Sequence, residues 1–110
     1  MATHAIPREA WTTFFDSFSV DHQGADATLE AHGPELGDQV VARNQIFRGI
    51  SADQKDGENR ISIMIGPAND DGMTHSVIAP EQVWHKHAEG TAGESLEIKS
   101  AGDNSALLRF

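Results

Sequence analysis

An α+β fold is expected, with an N-terminal amphipathic helix packed on an antiparallel β-meander of six or seven strands, forming a bent sheet or small barrel. Three observations predict it. Trp11, Phe14, Phe15 and Phe18 recur at i, i+3, i+4 and i+7, the spacing of one helical face. Beyond Gly24 the apolar period falls to two, the period of a half-buried strand. The alternating segments are joined by short turn-rich stretches, too short for the crossovers that parallel pairing needs. The chain has 110 residues, close to the commonest size of one domain, so residues 1–110 are read as a single domain. A chain of that length removes about two-thirds of its unfolded surface from water, enough for a core without staples.

The helix is expected from about Pro7 to Val20. Proline suits a first turn, where its missing N–H costs nothing. Glu9 places a negative charge at the positive end of the dipole. Gly24, after Asp21-His22-Gln23, is the expected stop. The aromatic stripe is assigned to the core, because a small sheet needs one face covered. Thr12, Thr13, Asp16 and Ser19 form the opposing face.

Ala27, Leu29 and Ala31 alternate with Thr28, Glu30 and His32 in the first expected strand, and Gly33-Pro34-Glu35-Leu36-Gly37 reads as a turn. Val40 to Ile50 is a longer extended stretch, with a bulge or bend expected at Asn44-Gln45, where polar side chains break the pattern. Asp56-Gly57 is a hairpin signal. After it, Ile61, Ile63 and Ile65 share one face of the best central strand. Gly66 to Gly72 is a loop, and Met73 to Ala79 the next strand. Pro80 precedes another strand over Val83 to His87, and Gly90 to Gly93 forms a connection. Leu96 to Lys99 and Ala106 to Phe110 flank a second hairpin at Ala101-Gly102-Asp103-Asn104. Closure into a barrel is left open, since alternation fixes faces but not neighbours.

Seventeen acidic against eight basic residues give a net charge of -9. The basic residues stand singly, so no Lys/Arg cluster exists to hold nucleic acid or an anionic membrane surface. The acidity is read as a solubility device. With no cysteine, disulfides and thiolate chemistry are excluded. The first residues lack a basic and apolar secretory signal, and no apolar run approaches the roughly 20 residues that span a bilayer. A cytoplasmic location is expected.

The histidines are the main chemical candidates. His85 and His87 lie two apart on one expected strand and share a face. His75, on the preceding expected strand, would join them if the two strands paired across Pro80. Imidazoles suit zinc, copper, nickel or iron. No further ligand is set by spacing, so no metal and no cofactor are expected, with His75, His85 and His87 the weak candidates. If the His85/His87 pair faces water, Trp84 lies in the core, which is the favoured arrangement. An outward Trp84 would instead mark a shallow aromatic site or a dimer surface.

The acidic stretches Asp53 to Glu58 and Asn69 to Gly72 resemble calcium loops only superficially. Position twelve, counted with Gly57 or Gly72 at six, is Ile63 or Ile78 rather than glutamate. No Gly-x-Ser-x-Gly elbow and no glycine-rich phosphate loop occurs. An enzyme is therefore disfavoured, and the catalytic and ligand-binding residues stay unassigned.

Several stretches resemble a family of short uncharacterised bacterial proteins, a domain of unknown function. They are Ile6-Pro7-Arg8-Glu9-Ala10-Trp11, Gly33-Pro34-Glu35-Leu36-Gly37 and Gly49 to Gly57. The likeness continues through Ile61 to Gly66 and Thr74-His75 to Leu107-Leu108-Arg109-Phe110. The resemblance implies a stand-alone bacterial domain and assigns no chemistry. The expected function is a small non-catalytic binding or interaction module with a homodimer among its forms. The alternative is a metal- or small-ligand-binding protein that uses a surface histidine cluster, and the weakest option an acidic mimic that binds basic partners.

Overall fold

Pro7 separates a four-residue strand, β1 (Ala2–Ala5), from a 3-10 turn over Arg8–Ala10 that runs directly into helix α1 (Trp11–His22). The computed structural model describes residues 2–34, 37–53, 59–66, 72–87 and 94–110. No side-chain cap starts the helix. Trp11 anchors it instead, its Nε1 donating to the Ile6 carbonyl at 2.9 Å while the Arg8 guanidinium stands 4.6 Å over the indole. Trp11, Phe15 and Phe18 are buried and Phe14 half-buried, so the aromatic stripe faces the core as expected. At the far end Gly24 takes a φ of 92°, a conformation that favours glycine. Its N–H donates to the Phe47 carbonyl at 2.8 Å, which passes the chain straight into strand pairing.

The remaining strands are β2 (Asp26–Gly33), β3 (Gly37–Asp53), β4 (Arg60–Ile65), β5 (Met73–Ile78), β6 (Pro80–His87), β7 (Ser95–Ser100) and β8 (Asn104–Arg109). Among the described residues they form one eight-stranded sheet in the order β1-β6-β7-β8-β2-β3-β4-β5, antiparallel throughout and not closed. Six or seven strands were expected; the additional one is β1, too short to show an alternation before Pro7 ends it. Two meanders, β2 to β5 and β6 to β8, are joined through β8 and β2. Between them Ala79 has a φ of 55° and Pro80 follows, so the chain leaves one meander for the other instead of forming a hairpin. The second expected hairpin is present, with positive φ at Gly102 (78°) and Asp103 (61°). The expected turn at Asp56-Gly57 and the connection at Gly90 to Gly93 lie outside the described residues.

The bend expected at Asn44 is observed. Asn44 has a φ of 51°, and the β2–β3 register slips between Ala27/Gln45 and Leu29/Ala42. Thr28 Oγ1 accepts from the Asn44 N–H at 3.1 Å and holds the distortion. The bend lets one strand serve two layers, the first half of β3 pairing β2 and the second half pairing β4. Ile61, Ile63 and Ile65 of β4 then face Leu29, Leu96, Ile98 and Leu108 across a single apolar core.

Beyond Ile46 the side of β3 that faced β2 has no strand partner among the described residues, and α1 lies there. Ser19 supplies what a strand would. Its hydroxyl donates to the Ile50 carbonyl at 3.0 Å and accepts from the Ile50 N–H at 2.9 Å. Ser19 was expected on the outer helix face; the hydroxyl explains why it packs against backbone. Its loss leaves two backbone groups unsatisfied, so Ser19→Ala is expected to cost about 1–3 kcal/mol. Urea unfolding should show a lower midpoint at constant slope. A change under about 0.5 kcal/mol would mean that water replaces the hydroxyl.

Candidate functional site

The stripe on α1 extends one position beyond its phenylalanines. His22 follows Phe18 by four residues, so its ring lies on the same face and stacks on Phe18 at 3.9 Å between centroids and 15° between planes. The Phe110 ring closes on it from β8's end, at 4.9 Å. From β6, His85 reaches the same place, 5.4 Å from Phe14 and 5.9 Å from Phe18, edge to face. Both rings are therefore half-buried against an aromatic wall.

Glu94, just before β7, joins the two rings. Its Oε1 lies 2.5 Å from His22 Nε2 and its Oε2 2.6 Å from His85 Nε2. The Phe110 N–H donates to the Glu94 carbonyl at 2.9 Å, which fixes the backbone from which this carboxylate projects. Burial by itself pushes the Glu94 carboxyl up. The hydrogen bonds from His22 and His85, with the charge on those rings, outweigh burial and hold it below the usual glutamate range.

Hydrogen positions follow from the partners. His22 Nδ1 stands 3.0 Å from the Phe18 carbonyl, which can only accept, so Nδ1 carries a hydrogen. The ionised Glu94 carboxylate places a second acceptor at Nε2, so both ring nitrogens face acceptors. The arrangement is a carboxylate clamped between two histidine donors, held by elements distant in sequence. It presents no nucleophile.

The strand pairing that would bring together the weak metal candidates His75, His85 and His87 is absent among the described residues. His75 lies on β5, the sheet's last strand, whereas His85 lies on β6, which pairs β1 and β7. Pairing across Pro80, the condition for bringing them together, does not occur. His87 pairs Ala2 through its backbone, and its side chain lies outside the described residues. Among the described residues no group of three or more His, Asp or Glu is arranged to hold a metal.

The favoured orientation of β6 is also corrected. Val83 and His85 face inward and Trp84 lies half-buried on the outer face, where its Nε1 donates to Gln82 Oε1 at 3.4 Å. An inward histidine is tolerable because Glu94 satisfies it. His22 was read only as part of the helix stop, although its place in the i+4 stripe marked it. Glu94 carried no signal, being one of seventeen acidic residues.

A second cluster lies on the outer face of β2. His32 Nδ1 is 2.6 Å from Asp38 Oδ1 and its Nε2 3.4 Å from Glu30 Oε1, while Arg109 pairs with the other Glu30 oxygen. His75 lines a cleft of about 230 Å³ between β5 and the β7–β8 hairpin, which His32 also borders along with Val77 and Asn104. Burial there pushes the His75 imidazole below the usual histidine range.

A model of a family of unknown function (DUF5335) matches residues 2–110. The chain belongs to this family. The DUF5335 match bears out the resemblance drawn from Ile6 to Trp11 and the stretches after it. A protein of Aquifex aeolicus (strain VF5), described as uncharacterized, is 31% identical over 110 residues, covering 100% of this chain and 93% of that protein. That relative is bacterial, as the resemblance implied. No solved structure matches. No helix among the described residues of this DUF5335 chain is long and apolar enough to cross a membrane.

Proposed function

We propose that the protein is a non-catalytic interaction module that receives an extended polypeptide strand along β5. One observation carries this. Among the described residues β5 pairs with β4 alone, at the end of a sheet that does not close. Its sequence, Met73 to Ile78, contains no charge other than a histidine and no proline. Edges exposed only to water are usually defended by such residues, because unpaired N–H and C=O groups template further strands. The clusters elsewhere are internally satisfied, Glu94 by two histidines and His32 by two carboxylates, and so favour binding over catalysis. Nucleic acid and anionic membranes are unsuited partners for a surface of this charge. The absence of cysteine supports action in the cytoplasm.

A second reading rests on a different observation. His22 and His85 aim Nε2 at one carboxylate within an aromatic enclosure, the kind of seat a small acidic ligand would occupy if Glu94 swung away.

Isotope-labelled protein titrated with a synthetic peptide of residues 72–79 separates the two. Amide shifts confined to β5 and β4 are expected, and Ser76→Lys should weaken binding by about tenfold or more. Acetate titrated in parallel, with shifts centred on His22 and His85, would favour the second reading. A spectrum that the peptide never moves, recorded at a protein concentration where the chain is monomeric, would overturn strand addition.

A further inference from the structure

We infer that the strand received along β5 is the β5 of a second copy of this chain, paired antiparallel about a two-fold axis at His75. The inference rests on the strand-addition reading and names its partner. Charge is the first argument. None of the seventeen acidic residues lies in β4 or β5, whose single Lys or Arg is Arg60, placed opposite Asp53 of β3. Two chains that each carry -9 repel over most approaches, and this strip is where they meet without like charges. A basic partner would seek the acidic faces instead.

Register is the second argument. In a two-fold antiparallel pair, opposed side chains share a face, so the axis passes through one residue and its own copy. Centred on His75, the pairing sets Met73 against Val77 and Thr74 against Ser76. Apolar meets apolar on the inner face, and hydroxyl meets hydroxyl on the outer. Centring on Ser76 would draw Ile78 into the ladder, beside backbone that is already committed. There the Ala79 N–H donates to Asn59 at 3.0 Å and the Ala79 carbonyl accepts from Ala101 at 3.4 Å. The His75 register avoids that conflict.

Cover is the third. Met73, the first residue of β5, is 41% exposed, and an added strand would lie against it. The cleft beside β5 that holds His75 would be roofed by the same strand. Because burial favours the neutral imidazole, two His75 rings can face each other at neutral pH without repulsion.

Sedimentation velocity at up to about 0.1 mM, far above a micromolar dissociation constant, should give a dimer. His75→Lys and His75→Asp should each sediment as monomers, while their mixture forms a heterodimer, because only this register sets residue 75 against itself. Should either variant fail to fold, the exposed pair replaces them: Thr74→Lys dissociates the dimer, and adding Ser76→Glu restores it across the interface. A monomeric native chain, or a dimer indifferent to these changes, overturns the inference. A monomer that still binds the 72–79 peptide leaves strand addition standing; one that binds nothing sinks both.

Discussion

Replacing Phe18 with alanine is expected to lower the unfolding free energy by about 3–5 kcal/mol, the largest effect of any substitution considered. The ring is 4% exposed and lies at the junction of three parts of the molecule. It meets Phe47 of β3 at 6.0 Å and Phe110 at 5.4 Å, both edge to face, and His22 face to face at 3.9 Å. Truncation removes the transfer term and leaves a cavity, because the sheet on one side and the helix backbone on the other cannot both collapse into it. Domains of this size have about 5–15 kcal/mol in total, so the variant would stand near the edge of folding. Phe18→Leu retains most of the volume and should cost under about 1.5 kcal/mol. It still removes the stacked face beneath His22, and so separates packing from site geometry. Chemical denaturation of the two variants is the measurement. A loss below 1 kcal/mol in Phe18→Ala would show that the helix is not held to the sheet through this ring.

Phe18 also shows what the sequence alone makes legible. Helical spacing placed it in the core with Trp11 and Phe15, since a repeat of 3.6 identifies a buried face from local sequence alone. The alternation in β2 and β4 and the break at Asn44 were readable for the same reason. Pairing was not. β6 follows β5 directly, yet Ala79 and Pro80 send it to the far side of the sheet, and the strand beside β2 is β8, the last in the chain. Backbone hydrogen bonds between distant segments leave no mark on either segment's period.

The orientation of β6 failed on a different ground. A histidine pair in an alternating strand suggests a wet face, because an unsatisfied imidazole is costly to bury. His85 faces inward because Glu94, nine residues on, and His22, on the helix, complete its surroundings. Each of those partners is ordinary in isolation. The site exists only once the chain has brought them together, so its legibility stopped at His22's place in the stripe.

Glu94 gives the second large effect, and two substitutions there separate charge from hydrogen bonding. Glu94→Ala leaves His22 Nε2 and His85 Nε2 without their acceptor, and with the carboxylate only 28% exposed the expected loss at neutral pH is about 1.5–3 kcal/mol. Glu94→Gln should cost less, under about 1 kcal/mol, because both contacts can survive with neutral rings. His22 keeps its hydrogen on Nδ1 for the Phe18 carbonyl, which frees Nε2 to accept from the amide NH₂, while His85 Nε2 donates to the amide oxygen.

The acid limb distinguishes them further. The Glu94 carboxyl is held below the usual glutamate range, so the unfolded chain binds its proton first as pH falls. Its contribution is complete above the unfolded value and disappears as pH drops through the lower folded value. The gap between the native chain and Glu94→Ala should therefore close across that acid window, while Glu94→Gln shows a flatter stability curve over the same range. Urea titrations at pH steps from neutral down into the carboxylate range would display both. A gap that persists undiminished at the acid end would mean that Glu94 acts through packing, and the charged clamp between the two histidines would have to be abandoned.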